Sequence, residues 1–225
     1  MHNDKQINAT FQGASQYKHL FPRSHCLVAV SVGSDAHEGD RFEATLKLIN
    51  KNFSRCTILV GDSLQRHNLP LLEMKTSDND YKHSIYLGDQ WIQRNINAIT
   101  SLTITNTIRR WDEWLKSSYF PQHLKYVKSC YEKNKTLQMA IDASINEFTY
   151  RFRKNLNNIN LDLIYKASFD YLCEEIAILM LMMPEEKYDY IIYPGKKIDA
   201  IEASYELILK RSHKHLMRWV RIHNG

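Results

Sequence analysis

His25-Cys26-Leu27-Val28-Ala29-Val30-Ser31-Val32-Gly33-Ser34 is the stretch whose reading decides the fold. From Cys26 to Ser31 every side chain is small, apolar or β-branched, and the run breaks at Gly33. A strand buried on both faces of a sheet leaves it in this way. Ser31 is therefore expected at the carboxyl end of a parallel strand, the edge where loops and helix N-termini converge on ligands in open α/β sheets. Downstream, a polar stretch over 35–40 leads to a predicted helix over 41–53, with Phe42, Leu46, Ile49 and Phe53 on one face.

The pattern repeats. Arg55-Cys56-Thr57-Ile58-Leu59-Val60-Gly61-Asp62 reads as a second parallel strand ended by Gly and Asp. A helix is predicted over about 80–99, a third strand from Leu102 to Ile108, helical segments over 123–154, and an apolar helix over 161–183 stopped by Pro184. Tyr190-Ile191-Ile192-Tyr193-Pro194-Gly195 reads as a late strand, and 198–219 as a closing amphipathic helix. Residues 1–20 are polar and irregular and read as a flexible arm, leaving 21–225 as one catalytic domain. Strands separated by helices predict a single α/β domain, a Rossmann-like parallel sheet with flanking helices.

The bulk numbers agree with that size of core. A chain of 225 residues with 44% hydrophobic side chains buries one sizeable core. No apolar run reaches the roughly 20 residues that span a bilayer, and the N-terminus leads into polar sequence, so a soluble, cytoplasmic protein is expected, with no membrane partner. Cys26, Cys56, Cys130 and Cys173 are scattered without metal-ligand or redox spacing, as free thiols of a reducing compartment. Thirty Lys+Arg against 25 Asp+Glu leave +5, a moderate excess that favours polyanions without demanding them.

Three pieces carry possible chemistry. Ser31 by itself is weak evidence, since serines after strands are commonly turn residues. Ala29 stands where a nucleophile elbow needs Gly, which disfavours an α/β-hydrolase. Tyr171 and Glu175, four apart on the apolar helix, share a face. A carboxylate there is costly without a cation, so the pair either waits for a ligand ammonium or belongs, with Glu174, to a charged surface patch. Tyr193 ends the last strand on the same edge as Ser31 and either relays protons or packs the core.

Together these pieces resemble the cyclodipeptide synthases. The resemblance rests on His25, an apolar strand ending in Ser31, Gly33, Tyr171 with Glu175, and Tyr193, in the family's order over roughly 25–210. Ser34 and Pro194 place the chain in the branch with a variable residue and Pro at those two positions. The resemblance implies the catalytic fold of class I aminoacyl-tRNA synthetases and two aminoacyl-tRNAs as substrates. It implies joining of the amino acids into a 2,5-diketopiperazine by ping-pong acyl transfer through Ser31, with no cofactor and no metal. Neither HIGH nor KMSKS, the signatures of ATP-dependent activation, is present.

By the same resemblance Ser31, Tyr171, Glu175 and Tyr193 are catalytic, with Gly33, Ser34 and Asn155 near the substrate. Leu27, Ala29, Ile58, Trp111 and Ile178 are expected to line the first amino acid's pocket, the bulk of Trp111 favouring a small side chain. Lys196 and Lys197 are expected to face a second pocket and to favour an acidic one. Arg94, Arg109 and Arg110, or the patch Arg151, Arg153 and Lys154, are the candidates for tRNA phosphate. Two other classes compete: a non-catalytic tRNA- or nucleotide-binding module of the same fold, and a serine hydrolase using His25 or His37.

Overall fold

The computed structural model describes residues 7–69, 79–153 and 160–224, with the side chains of 151–153 and 224 outside that description. Its centre is a six-stranded sheet in the order β1-β6-β5-β2-β3-β4, built from β1 (Ala9–Gln12), β2 (His25–Ser31), β3 (Arg55–Gly61), β4 (Thr105–Arg110), β5 (Tyr190–Tyr193) and β6 (Arg218–Asn224). All neighbours run parallel except β1, which is antiparallel to β6. The single α/β domain with a parallel sheet and flanking helices expected from sequence is the observed architecture.

Side chains alternate across a strand, so each parallel strand feeds two cores. Cys26, Val28 and Val30 of β2 pack with Ile58, Val60, Ile192 and Val220 under α1 (Gly39–Asn52) and α2 (Asp80–Thr100). Leu27 of β2 faces the other way, with Leu59 and Ile191, against α3 (Phe120–Lys133), α4 (Lys135–Arg153), α5 (Leu161–Ala177) and α6 (Asp199–Ser204). Two residues on from Leu27 and Leu59, and then two more, this same face carries Ala29, Ser31 and Gly61. From Ile191 it reaches Tyr193.

The register lays Ser31 opposite Gly61, and β5 runs beside β2 on the other flank. Past Ser31 the chain must turn out of the sheet, and Gly33 does so at φ +85, a left-handed conformation that side chains resist, while Ser34 donates its N–H to the Ser31 carbonyl at 3.2 Å. The glycine of the opening stretch is thus a consequence of the turn.

Four expectations change. Within the stretch expected to be an arm, the described residues join the fold: Ala9–Gln12 pairs with β6, and Phe11, with Phe21 just beyond it, joins Phe53 and Tyr190 in one aromatic cluster, Phe21 stacked on Phe53 at 4.5 Å. The third strand starts at Thr105 instead of Leu102, because the Asn50 side-chain oxygen accepts from the Thr103 and Ile104 N–H groups at 2.8 and 3.2 Å and takes them out of the ladder. The apolar helix is α-helical only to Ala177 and then widens into a π-helical turn, Ile178–Met182, ahead of Pro184. The closing helix does not run to 219. Helical turns end at Ser212, and Val220 and Ile222, buried and alternating with Arg221 and His223, form β6, a strand whose period of two was obscured by its basic residues.

Phe21→Ala empties a fully buried site in that aromatic cluster, and urea denaturation is expected to show a loss of about 3–5 kcal/mol. A loss below about 0.5 kcal/mol, typical of a surface change, would mean that the N-terminal segment is a loose arm after all.

Candidate active site

The carboxyl ends of β2, β3 and β5 and the middle of α5 enclose a cavity of about 160 Å³. Ser31, Tyr193, Tyr171 and Glu175 all line it. Ser31 Oγ and the Tyr193 phenol are 3.1 Å apart and share one hydrogen bond. Burial keeps the Tyr193 phenol protonated, its pKa raised by desolvation and by the Glu175 charge beyond what the Ser31 bond returns. Tyr171 is raised further, by burial and then by the charges of Glu175 and Tyr193. Glu175 is pushed up to about 7 by burial and by the negative charge of Glu174. The cavity therefore offers a serine hydroxyl, two neutral phenols and one carboxyl poised near neutrality. A second cavity of about 270 Å³ shares Tyr171, Tyr193 and Ile198 with the first and extends between α4 and α5.

Behind Ser31 stands His37, 1% exposed. Its Nδ1 accepts the Ser31 backbone N–H at 3.2 Å, and its own carbonyl accepts from Trp91 Nε1 at 2.8 Å, so the turn at Ser31 is tied to α2. Burial lowers the His37 pKa to about 4, so the ring is neutral and its proton lies on Nε2. This histidine holds the serine's backbone and does not touch Oγ. His25 lies at the opposite end of β2, bonded to Thr57 Oγ1 at 2.9 Å. Neither candidate supplies the base of a serine hydrolase.

Glu174 is not a surface charge. It is 2% exposed, and its carboxylate receives Arg66 through both terminal nitrogens, Trp111 Nε1 at 2.9 Å and His67 Nε2 at 3.2 Å. Burial opposes its charge, but the bonds from His67 and Arg66 outweigh that and hold the carboxyl below its ordinary range. Two adjacent carboxyls thus sit in opposite surroundings, one ionised in a cage of donors and one whose pKa is raised in a cavity.

The pocket-lining residues divide. Ala29 and Trp111 are in the wall. Ile58 is not: its neighbour Leu59 lines the cavity, because Ile58 points into the core under α1 and α2. Leu27 shares the face of Ala29 but lies one pleat deeper in the core. Ile178 is buried in that core, and Leu179, one turn beyond Glu175, takes its place in the wall. Lys196 lines the same cavity as Trp111, with no acidic partner among the described residues, whereas Lys197 turns to Glu202 at 4.0 Å and over the Tyr205 ring. Gly33 and Ser34 shape the turn after Ser31.

The arginines also divide. Arg94 is paired with Glu38 at 2.7 Å, and Arg109 with Glu113 while lying over Trp114. Arg110 is consumed internally by Asp62 at 2.6 Å, by Asp89 and by the Ile85 carbonyl at 2.9 Å. The side chains of Arg151 and Arg153, and all of Lys154 and Asn155, lie outside the described residues. Sequence reasoning missed Arg66, His67 and Trp219, the last lining the cavity from β6, and it named His37 as a hydrolase base, whereas the ring holds the Ser31 backbone.

The fold is shared with an aminoacyl-tRNA synthetase. Tyrosyl-tRNA synthetase from Archaeoglobus fulgidus superimposes with a TM-score of 0.54 at 14% identity, over 92% of this chain and 56% of that one. Within that architecture the chain belongs to the cyclodipeptide synthases: such an enzyme from Fluoribacter dumoffii is 35% identical over 97% of this chain and 98% of its own, with a TM-score of 0.92. The cyclodipeptide synthase of Candidatus Glomeribacter gigasporarum, solved bound to Phe-tRNAPhe, has the same fold, with a TM-score of 0.71 at 19% identity over 96% of this chain and 94% of that one. No protein-family model matches the sequence, and no curated protein does.

The two perturbed groups make opposite contributions to stability. Glu175, raised from 4.5 to about 7, stabilises the fold below 4.5 and loses that contribution as pH rises through 7. His37, lowered from 6.5 to about 4, contributes above 6.5 and loses it as pH falls towards 4. At about 1.4 kcal/mol per pH unit each is worth about 3 kcal/mol, so in the intact protein they cancel over much of this window. Urea midpoints across pH are expected to separate them. Glu175→Gln becomes more stable from pH 4 to 6.5, and His37→Asn, whose amide oxygen still accepts from Ser31, becomes less stable from pH 4.5 to 7. Parallel profiles for the two variants would contradict this assignment.

Proposed function

We propose that this chain takes two aminoacyl-tRNAs and joins their amino acids into a cyclic dipeptide through covalent intermediates on Ser31. The observation that carries the reading is the Ser31 Oγ to Tyr193 phenol bond at 3.1 Å, in a cavity whose other wall holds Tyr171 and Glu175. A binding module has no use for that convergence.

The ester to tRNA is already an activated acyl donor. Ser31 Oγ attacks its carbonyl, the ribose oxygen leaves with a proton, and an aminoacyl ester remains on the enzyme. Glu175 pairs with the ammonium of the bound amino acid, whose charge draws the carboxyl into its ionised form. Tyr171, one turn away, donates or accepts beside it. Because Glu175 titrates near neutrality, it also takes the proton when that ammonium becomes the amine nucleophile. The amine attacks the second aminoacyl-tRNA, giving a dipeptidyl ester on Ser31 and a second free tRNA. The new terminal amine then attacks the Ser31 ester carbonyl and closes the six-membered ring. Tyr193 returns the proton to Ser31 Oγ as that bond breaks. The kinetics are ping-pong.

Ser34 and Pro194 support placement in the branch with a variable residue and Pro. The two adjoining cavities supply room for two aminoacyl groups. Trp111 narrows one wall and favours a small side chain. Lys196, and the Trp219 indole N–H, which has no partner among the described residues, favour an acidic one on the opposite side. With Arg94, Arg109 and Arg110 engaged in internal pairs, tRNA phosphate falls to other basic residues, Arg151, Arg153 and Lys154 among the candidates, and binding weakens steeply with salt.

Mass spectrometry of medium from cells expressing the intact chain is expected to show new diketopiperazines that are absent with Ser31→Ala. A soluble intact chain whose medium matches the empty-vector control would instead favour the non-catalytic tRNA-binding module. Tyr193→Phe is expected to cut product at least about 100-fold while acyl-enzyme persists in intact-protein mass spectra. Lys196→Ala is expected to shift the product mixture away from acidic residues; an unchanged mixture would remove Lys196 from specificity.

A further inference from the structure

We infer that Glu174 is a positioning residue: with Arg66, His67 and Trp111 it clamps three walls of the cavity around Glu175 and governs how that carboxyl receives an ammonium. The inference rests on the reading of Glu175 as the ammonium's partner.

The geometry is specific. Glu174 does not line the cavity, yet each of its donors belongs to an element that does. Arg66 and His67 lie on the 3-10 turn Ser63–His67, whose Leu64 and Gln65 are in the wall, and Arg66 is itself fixed by the Ser63 carbonyl at 2.7 Å. Trp111 starts the short helix after β4 and presents its ring to the cavity while its N–H is held by Glu174. The His67 ring meets the Tyr171 ring edge-on, 6.4 Å between centroids. One buried carboxylate thus sets the turn after β3, the indole after β4 and the helix that carries Tyr171 and Glu175.

Its charge acts as well. The groups that face or adjoin Glu175 are Tyr171 and Glu174 on its own helix, Tyr193 from β5, Ser31 from β2 and Lys196 at the rim, with Arg66 and His67 behind Glu174. A fixed negative neighbour disfavours a second carboxylate in the empty cavity, so Glu175 charges fully when a cation arrives. A hydrophobic pair would pack the same three elements at least as stably, so stability alone does not call for a buried ion pair here.

The test follows the Glu175 carboxyl by ¹³C NMR across pH in protein with labelled glutamate, its resonance assigned by its loss in Glu175→Gln. In parallel, the rate of Ser31 aminoacylation from aminoacyl-tRNA is read by intact mass. Glu174→Gln is expected to lower the Glu175 midpoint by about one pH unit and to move the rising limb of the acylation profile with it. Trp111→Phe keeps the charge and loses one donor, so it leaves the midpoint in place and widens the range of side chains accepted. Should Glu174→Gln fail to fold because Arg66 is stranded, the double variant Arg66→Met with Glu174→Met removes both charges and is held to the same lowered midpoint. An unchanged midpoint in whichever variant folds overturns the inference. A lowered midpoint in a protein whose intact form is never acylated would support the electrostatic coupling and refute the proposed reaction, so the two failures are told apart.

Discussion

Everything at the site depends on β2 being buried on both faces. A parallel strand flanked by β3 and β5 has no solvent side, so its side chains alternate between two apolar cores, and the pleat leaves no choice about which face each residue serves. Cys26, Val28 and Val30 belong to one core and Leu27 to the other. Ser31 is the last side chain of β2 on the Leu27 face, and it emerges where the strand ends. The same period carries Ile191 to Tyr193 on β5, so hydroxyl and phenol meet because two strands obey one alternation in one register. A slip of one residue in either strand would separate them.

The chemistry then comes from pairs of like groups in unlike surroundings. Glu174 and Glu175 are consecutive, but a helix turns successive residues to different faces. One enters a cage of Arg66, His67 and Trp111 and stays ionised, and the other enters a cavity where burial and its neighbour's charge raise its pKa. The two phenols differ in the same manner: Tyr193 is tied to Ser31, whereas Tyr171 is packed against His67 beside Glu175. On the proposed reading the substrates arrive activated, and what the site then has to supply is orientation and proton transfer within one small cavity.

Much of this was legible in the linear sequence for a physical reason. Short apolar runs ended by Gly, and an apolar helix with a Tyr and a Glu one turn apart, are local signals with a single periodicity. They located β2, β3, β5, α2 and the four central side chains, Ser31, Tyr171, Glu175 and Tyr193. The misreadings came where two signals overlapped. In β6 the alternation of Val220 and Ile222 was masked by Arg218 and Arg221, and the polar N-terminus hid Phe11, whose partners Phe21 and Phe53 lie far along the chain. Leu59, not Ile58, reaches the cavity, and composition does not say which face of a doubly buried strand looks towards the ligand.

By itself the sequence determined the elements and the chemical inventory, since backbone preference and hydrophobic period are properties of neighbouring residues. Tertiary structure alone decided the partners. That His37 holds the backbone of Ser31, that Arg110 is taken up by Asp62 and Asp89, and that Glu174 is held by Arg66 while Glu175 faces the cavity are all set by contacts between segments distant in sequence. The protonation state of a carboxyl depends on what surrounds it in space, and no spacing along a chain contains that information.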